Sequence, residues 1–149
     1  MSREAEIVED LLVSDVMKTP VITMSPTATV MEAAKVMVEN DIGSIIVVDE
    51  RERLLGIVTK TDIVKGVVAR GLLPSSVKLG DIMVRDPYYL FSDATLREAA
   101  ELMGSKGIGH LPILDPDNMR IVGIISKRDI LRIAPYYIEL VLALKRSSE

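Results

Sequence analysis

Two short stretches set a hydroxyl and a carboxylate three residues apart, with cations between them: Thr59, Lys60 and Asp62, then Ser126, Lys127, Arg128 and Asp129. Each stretch follows an apolar run and precedes a helical pattern, so the hydroxyl stands where a strand gives way to a helix. A helix start offers unpaired N–H groups and a partial positive charge that suit an anion. Lys60, Lys127 and Arg128 lie in the first turn and can neutralise a phosphate, Arg128 with two parallel hydrogen bonds. Cations gain nothing from the dipole at that end, a mild argument that an anion is bound there. The same spacing is also a capping box, in which the hydroxyl accepts from the third helical N–H and the carboxylate reaches back. Such a box needs no ligand, so both readings stand on these residues alone.

Other chemistries are excluded by composition. The chain has no Cys, which removes disulfides, thiolate metal sites and cysteine nucleophiles, and its single histidine, His110, cannot found a histidine metal cluster. No nucleophile–base pair or pair of clustered carboxylates presents itself, so no catalytic residue, metal ligand or cofactor is assigned and an enzyme is not expected. A net charge of −4 and a pI near 5.1 disfavour attraction to a nucleic-acid backbone. The acidic N-terminus lacks the order of a signal peptide, and no apolar run approaches the ~18 to 20 residues of a membrane span. A cytoplasmic protein is expected.

The elements that position these residues come in duplicate. The same order of features occurs twice, about 66 residues apart. Asp15-Val16-Met17 and Pro20 match Asp81-Ile82-Met83 and Pro87; ATVMEAA (28–34) matches ATLREAA (94–100); Ile42-Gly43 matches Ile108-Gly109; GIVTKTDI (56–63) matches GIISKRDI (123–130). Within each copy, Val21 to Met24 and Tyr88 to Phe91 predict a first strand. Thr29 with Glu32, and Thr95 with Glu98, predict capped helices whose apolar stripes run through Val30, Ala33 and Met37 and through Leu96, Ala99 and Met103. Hairpins are expected from Ser44–Val48 with Leu54–Thr59 and from His110–Leu114 with Ile121–Ser126. A second helix closes each copy, Lys60 to Ala69 and Lys127 to about Ile133. Apolar residues make up 48% of the chain and aromatic residues 3%, so Val, Ile, Leu, Met and Ala must fill tightly packed helix-on-sheet layers. The fold class is α+β, two βαββα repeats packed with pseudo-two-fold symmetry. The organisation reads as a helical extension over 1–12, a first domain over 13–69, a linker over 70–76, a second domain over 77–134 and a terminal helix over 135–149.

From Val13 to Leu131 the chain resembles the CBS domain pair, or Bateman module. The resemblance rests on the openings DVM and DIM, the stretches GIVTKTD and GIISKRD, and HLPIL (110–114). It implies a ligand-sensing module that binds AMP, ADP, ATP or S-adenosylmethionine in the cleft between the repeats and signals to a partner. It further implies that Asp62 and Asp129 bind ribose hydroxyls and that Thr59 and Ser126 meet sugar or phosphate. Thr19, Val21, Asp86 and Tyr88 would approach the base. His110 would approach phosphate, with Leu111 and Pro112 after it and Ser44 at its place in the first copy. A carboxylate accepts from two vicinal hydroxyls at once, which suits Asp in that role. The first copy has Ile45 and Ile46 for Leu111 and Pro112 and Thr61 for Arg128, so the two sites should differ. The expected partners are an adenine nucleotide, a second copy in a homodimer and a regulated protein in trans. The competing readings are a structural or adaptor homodimer with vestigial sites, and a sensor of S-adenosylmethionine.

Overall fold

The computed structural model describes residues 11–133 and 143–145. The expected helical extension over 1–12 and the terminal helix from Tyr136 fall almost wholly outside the described residues; residues 143–145 are helical. The chain divides into two units, one formed by Ile22–Pro87 and the other by the segment ending at Val21 together with the chain from Tyr88 onward.

In the Ile22–Pro87 unit, β1 (Thr23–Met24), β2 (Ser44–Val48), β3 (Leu54–Thr59) and β4 (Val84–Arg85) form a sheet in that order. β1 runs parallel to β2, as a helical crossover requires. That crossover is α2 (Val30–Asn40), which begins where predicted: Thr29 Oγ1 accepts from the Glu32 N–H at 3.1 Å, and the Thr29 N–H donates to Glu32 Oε2 at 3.3 Å. Its buried stripe of Val30, Ala33 and Met37 packs with Ile45, Val47 and Val58 of the sheet, and with Val77 and Leu79 from the start of the second repeat. The β2–β3 hairpin turns through Asp49, whose Oδ1 accepts from the Arg51 and Arg53 N–H groups. Those backbone donors, the Arg53 N–H foremost, hold the half-buried Asp49 carboxyl below its usual range.

The other unit repeats this plan with β5 (Leu90–Phe91), β6 (His110–Leu114) and β7 (Ile121–Ser126), and with α5 (Leu96–Lys106) capped by Thr95 and Glu98. Its core joins Leu96, Ala99, Ala100 and Met103 of α5 to Leu111, Ile113 and Ile125 of the sheet and to Val13 of the opening segment. The expected first strands shorten to two residues each. β1 begins opposite Ile46, whereas β5 begins one step later, opposite Ile113. Proline explains the shift, because Pro112 stands where the first repeat has Ile46 and has no N–H for a parallel partner.

Each opening segment belongs to the other repeat's unit. The short helix α1 (Val13–Val16) precedes Lys18, which forms an antiparallel bridge with Ile124 of β7. Its counterpart α4 (Leu79–Ile82) precedes β4, which pairs with β3 through Arg85 opposite Gly56 and Val84 opposite Ile57. The sequence reading kept each opening with its own copy; in the structure DVM packs with GIISKRD, and DIM with GIVTKTD. Glycine makes this possible. A Cβ on Gly56 would lie 2.6 Å from Met83 Sδ and 2.8 Å from the Val84 carbonyl oxygen, and a Cβ on Gly123 would collide with Met17 Sδ.

The second helix of the first repeat departs from expectation. An α-helical turn, α3 (Lys60–Ile63), widens into a π-helix over Val64–Val68, where the Ala69 N–H donates to the Val64 carbonyl. Gly66 sits within this wide turn with Ile82 of α4 against it. The helix after Ser126, α6, runs from Lys127 to Leu131.

In the β6–β7 hairpin, Met119 is 47% exposed with φ at +62°, a backbone region that costs a non-glycine residue ~1 kcal/mol. Met119→Gly should therefore stabilise the protein by roughly 0.5 to 1 kcal/mol, read as a higher urea midpoint at unchanged slope. A lower midpoint would mean that the methionine side chain contributes more than its strained backbone costs.

Candidate functional site

The two hydroxyl–carboxylate stretches are built alike. At Thr59 the backbone N–H donates to Asp62 Oδ2 at 2.8 Å, the hydroxyl donates to the same oxygen at 2.9 Å, and the Asp62 N–H donates to the hydroxyl at 3.3 Å. Ser126 and Asp129 repeat these three bonds at 2.8, 2.9 and 3.3 Å. The capping reading is thus realised in both places. The first helical N–H groups are also engaged, Lys60 with the Gly43 carbonyl at 3.1 Å and Lys127 with that of Gly109 at 2.9 Å. At each helix start the first N–H is thus held by the carbonyl of the repeated glycine, and the third by the box hydroxyl. Each box uses Oδ2 of its aspartate, and the second carboxylate oxygen, Oδ1, lies outside the box.

At Asp129 that second oxygen has cationic neighbours. Lys18 Nζ lies 3.7 Å and an Arg132 guanidinium nitrogen 3.9 Å from Oδ1. Asp129 is 4% exposed, while the Lys18 and Arg132 side chains are 41% and 63% exposed. A nearly buried carboxylate is thus compensated by two donors of its own box and by two cations that reach solvent. Lys18 escaped the sequence reading because it lies far away in the chain; only the bridge between Lys18 and Ile124 brings it here. Arg132 follows Asp129 by one helical turn, and that spacing was a readable signal.

The remaining predicted residues divide between the units. Thr19 and Val21 continue from Lys18 and belong with Ser126, Lys127, Arg128 and Asp129, whereas Asp86 belongs with Thr59, Lys60 and Asp62. Asp86 is exposed, has φ at +48°, and donates its N–H to the Leu55 carbonyl. His110 is half-buried and stands opposite Ser126 in the β6–β7 ladder, as Ser44 stands opposite Thr59 in the other hairpin. The Leu111 side chain has no exposed surface and lies in the core with Ile113 and Ile125, because the alternation of a strand turns it inward. Pro112 is buried as well. The Lys127 stem passes over Gly109, in ordinary van der Waals distance of where a Cβ would stand. Tyr88 is 50% exposed and carries Lys106 Nζ above its ring, 5.4 Å from the centroid.

Among the described residues there is no group of three or more His, Asp or Glu side chains fit to hold a metal ion. No helix among them is long and apolar enough to cross a membrane.

The duplicated plan agrees with comparisons to known proteins. The model of the CBS domain matches twice, over residues 13–69 and 79–136. The chain belongs to the CBS domain family. An uncharacterized protein of Methanopyrus kandleri is 41% identical over 126 residues, 85% of this chain and 64% of that protein's length. Inosine-5'-monophosphate dehydrogenase of Methanocaldococcus jannaschii is 38% identical over 116 residues, 78% of this chain but 22% of the enzyme. A CBS domain pair solved in complex with 5'-methylthioadenosine and S-adenosyl-L-methionine matches with a TM-score of 0.75 at 31% identity, covering 83% of this chain and 95% of that one. The tandem CBS architecture is thereby established, and with it the class: a CBS pair is a regulatory, ligand-binding module.

Proposed function

We propose that this CBS pair senses an adenine nucleotide, AMP, ADP or ATP, and acts in trans on a partner protein. The observation that carries the reading is the Asp129 carboxylate, with one oxygen committed to the Ser126 box and the other directed at Lys18 and Arg132. A ribose hydroxyl donates to that second oxygen while the box stays intact, so capping and sugar recognition are compatible. The cations beside it, with Lys127 and Arg128, supply positive charge for phosphate, His110 offers a hydrogen bond to it, and Thr19 and Val21 belong to the same unit. Around Asp62, the residues for the second site are Thr59, Lys60, Ser44 and Asp86. Pairing of two copies is supported by Val64, Val68 and Leu73, apolar side chains that are 55%, 62% and 68% exposed.

One observation favours a second reading: the similar domain pair solved with S-adenosyl-L-methionine makes that compound a candidate here. A melting-shift panel of AMP, ADP, ATP, S-adenosylmethionine and NAD separates the readings. A ligand at 100 times its Kd stabilises the folded state by ~2.7 kcal/mol, which raises Tm by several degrees. Shifts with the nucleotides are expected. A shift confined to S-adenosylmethionine would select the second reading, and none with any compound would leave a structural adaptor.

A further inference from the structure

Lys18 and Val84 occupy the same place in the two units. Lys18 bridges to Ile124 and Val84 pairs with Ile57, and both isoleucines follow the glycine of their repeat's closing stretch. At Asp129 this place holds an ammonium 3.7 Å from Oδ1. At Asp62 it holds an apolar side chain that is 48% exposed, and among the described residues Asp62 pairs with no cation. One carboxylate at Asp129 faces both Lys18 and Arg132, which leaves an excess of positive charge, and both cations reach solvent.

We propose that Lys18 is a specificity-determining residue that makes the Asp129 site select nucleosides bearing an anionic group, phosphate above all, while the Asp62 site, with Val84 there, lacks that selection. The inference rests on the nucleotide-sensing reading and deepens it. A sugar hydroxyl within hydrogen-bond distance of Asp129 Oδ1 takes over part of the role that Lys18 plays toward that oxygen. The ammonium is then free to turn to a group carried by the same sugar. A phosphate there meets a cation already desolvated on one side, and gains a charge-assisted contact that a neutral nucleoside does not. Because Lys18 is anchored to β7 through its backbone, with its N–H on the Ile124 carbonyl at 2.8 Å, its side chain can change without removing that anchor.

Calorimetry with adenosine and AMP on the full chain, in an Asp62→Ala background that isolates the Asp129 site, tests this. The wild-type site should favour AMP by ~10-fold or more, a preference that falls with added salt. Lys18→Met should weaken AMP by about 10-fold while adenosine stays within about twofold, and Lys18→Arg should keep the preference. Conversely, Val84→Lys in an Asp129→Ala background should give the Asp62 site a preference for AMP. Equal weakening of both compounds by Lys18→Met, or an unchanged ratio, would overturn the role of Lys18. Wild-type binding of adenosine and AMP with equal affinity would overturn it while leaving nucleoside sensing intact. Binding of neither compound would remove both readings.

Discussion

Gly56→Ala is expected to destabilise the protein by about 3 kcal/mol, lowering Tm by on the order of 10 °C. The added methyl would lie 2.6 and 2.9 Å from Met83 Sδ and Cγ, and 2.8 Å from the Val84 carbonyl oxygen. A methionine side chain can swing aside. The carbonyl cannot, because it belongs to β4, which pairs with β3 at Gly56 and Ile57. Relief therefore requires β4 to leave the sheet. Gly123→Ala provides the control, since the nearest atoms its methyl meets all belong to the Met17 side chain; a cost of about 1 kcal/mol is expected. Urea denaturation of both variants, each combined with truncation of its methionine, checks the argument. Met17→Ala should offset most of the strain in Gly123→Ala, whereas Met83→Ala should offset only part of that in Gly56→Ala. Equal costs for the two glycines would show that the backbone of β4 does not approach as closely as described.

The second large effect is on binding. Asp129→Ala should reduce nucleotide affinity at its site by ~100-fold, or about 2.7 kcal/mol, by removing the acceptor for the sugar. Its cost to stability should be smaller, about 1 to 2 kcal/mol, because what is lost is chiefly the cap on α6. The two ion pairs add little, as Lys18 and Arg132 are 41% and 63% exposed and turn to water when their partner is gone. Calorimetry at a temperature well below the variant's Tm separates the two losses. Asp62→Ala should abolish a different share of the stoichiometry and leave the Asp129 site intact. Unchanged affinity in both variants would reduce both boxes to helix caps and remove the ribose role.

Much of the architecture is local, and was legible for that reason. Thr29 and Glu32, Thr95 and Glu98, Thr59 and Asp62, Ser126 and Asp129 are each three residues apart, so their hydrogen bonds follow from the start of a helix and from nothing else. The strands of both hairpins fall on their predicted residues, because apolar β-branched runs interrupted by a charged turn have few other ways to pair. Elements that depend on remote partners were misjudged. The first strands are short because their length is set by β2 and β6, and Pro112 shifts one of them by a residue. The second helix of the first repeat widens over Val64–Val68, where Gly66 lies against Ile82 of α4, a remote partner. The resemblance implies Leu111 at the site, but the core holds its side chain.

The sequence by itself determined the duplication, the capped helices, the hairpins and the two aspartates, since each is specified by residues within a few positions of one another. Only the tertiary structure decided that each opening segment joins the other repeat's unit, which puts Met17 on Gly123, Met83 on Gly56 and Lys18 beside Asp129. Spacing along a chain carries no information about which of two similar sheets a segment will complete. That choice is made by the close approach a glycine permits and by the backbone hydrogen bonds that β3 and β7 still have to offer.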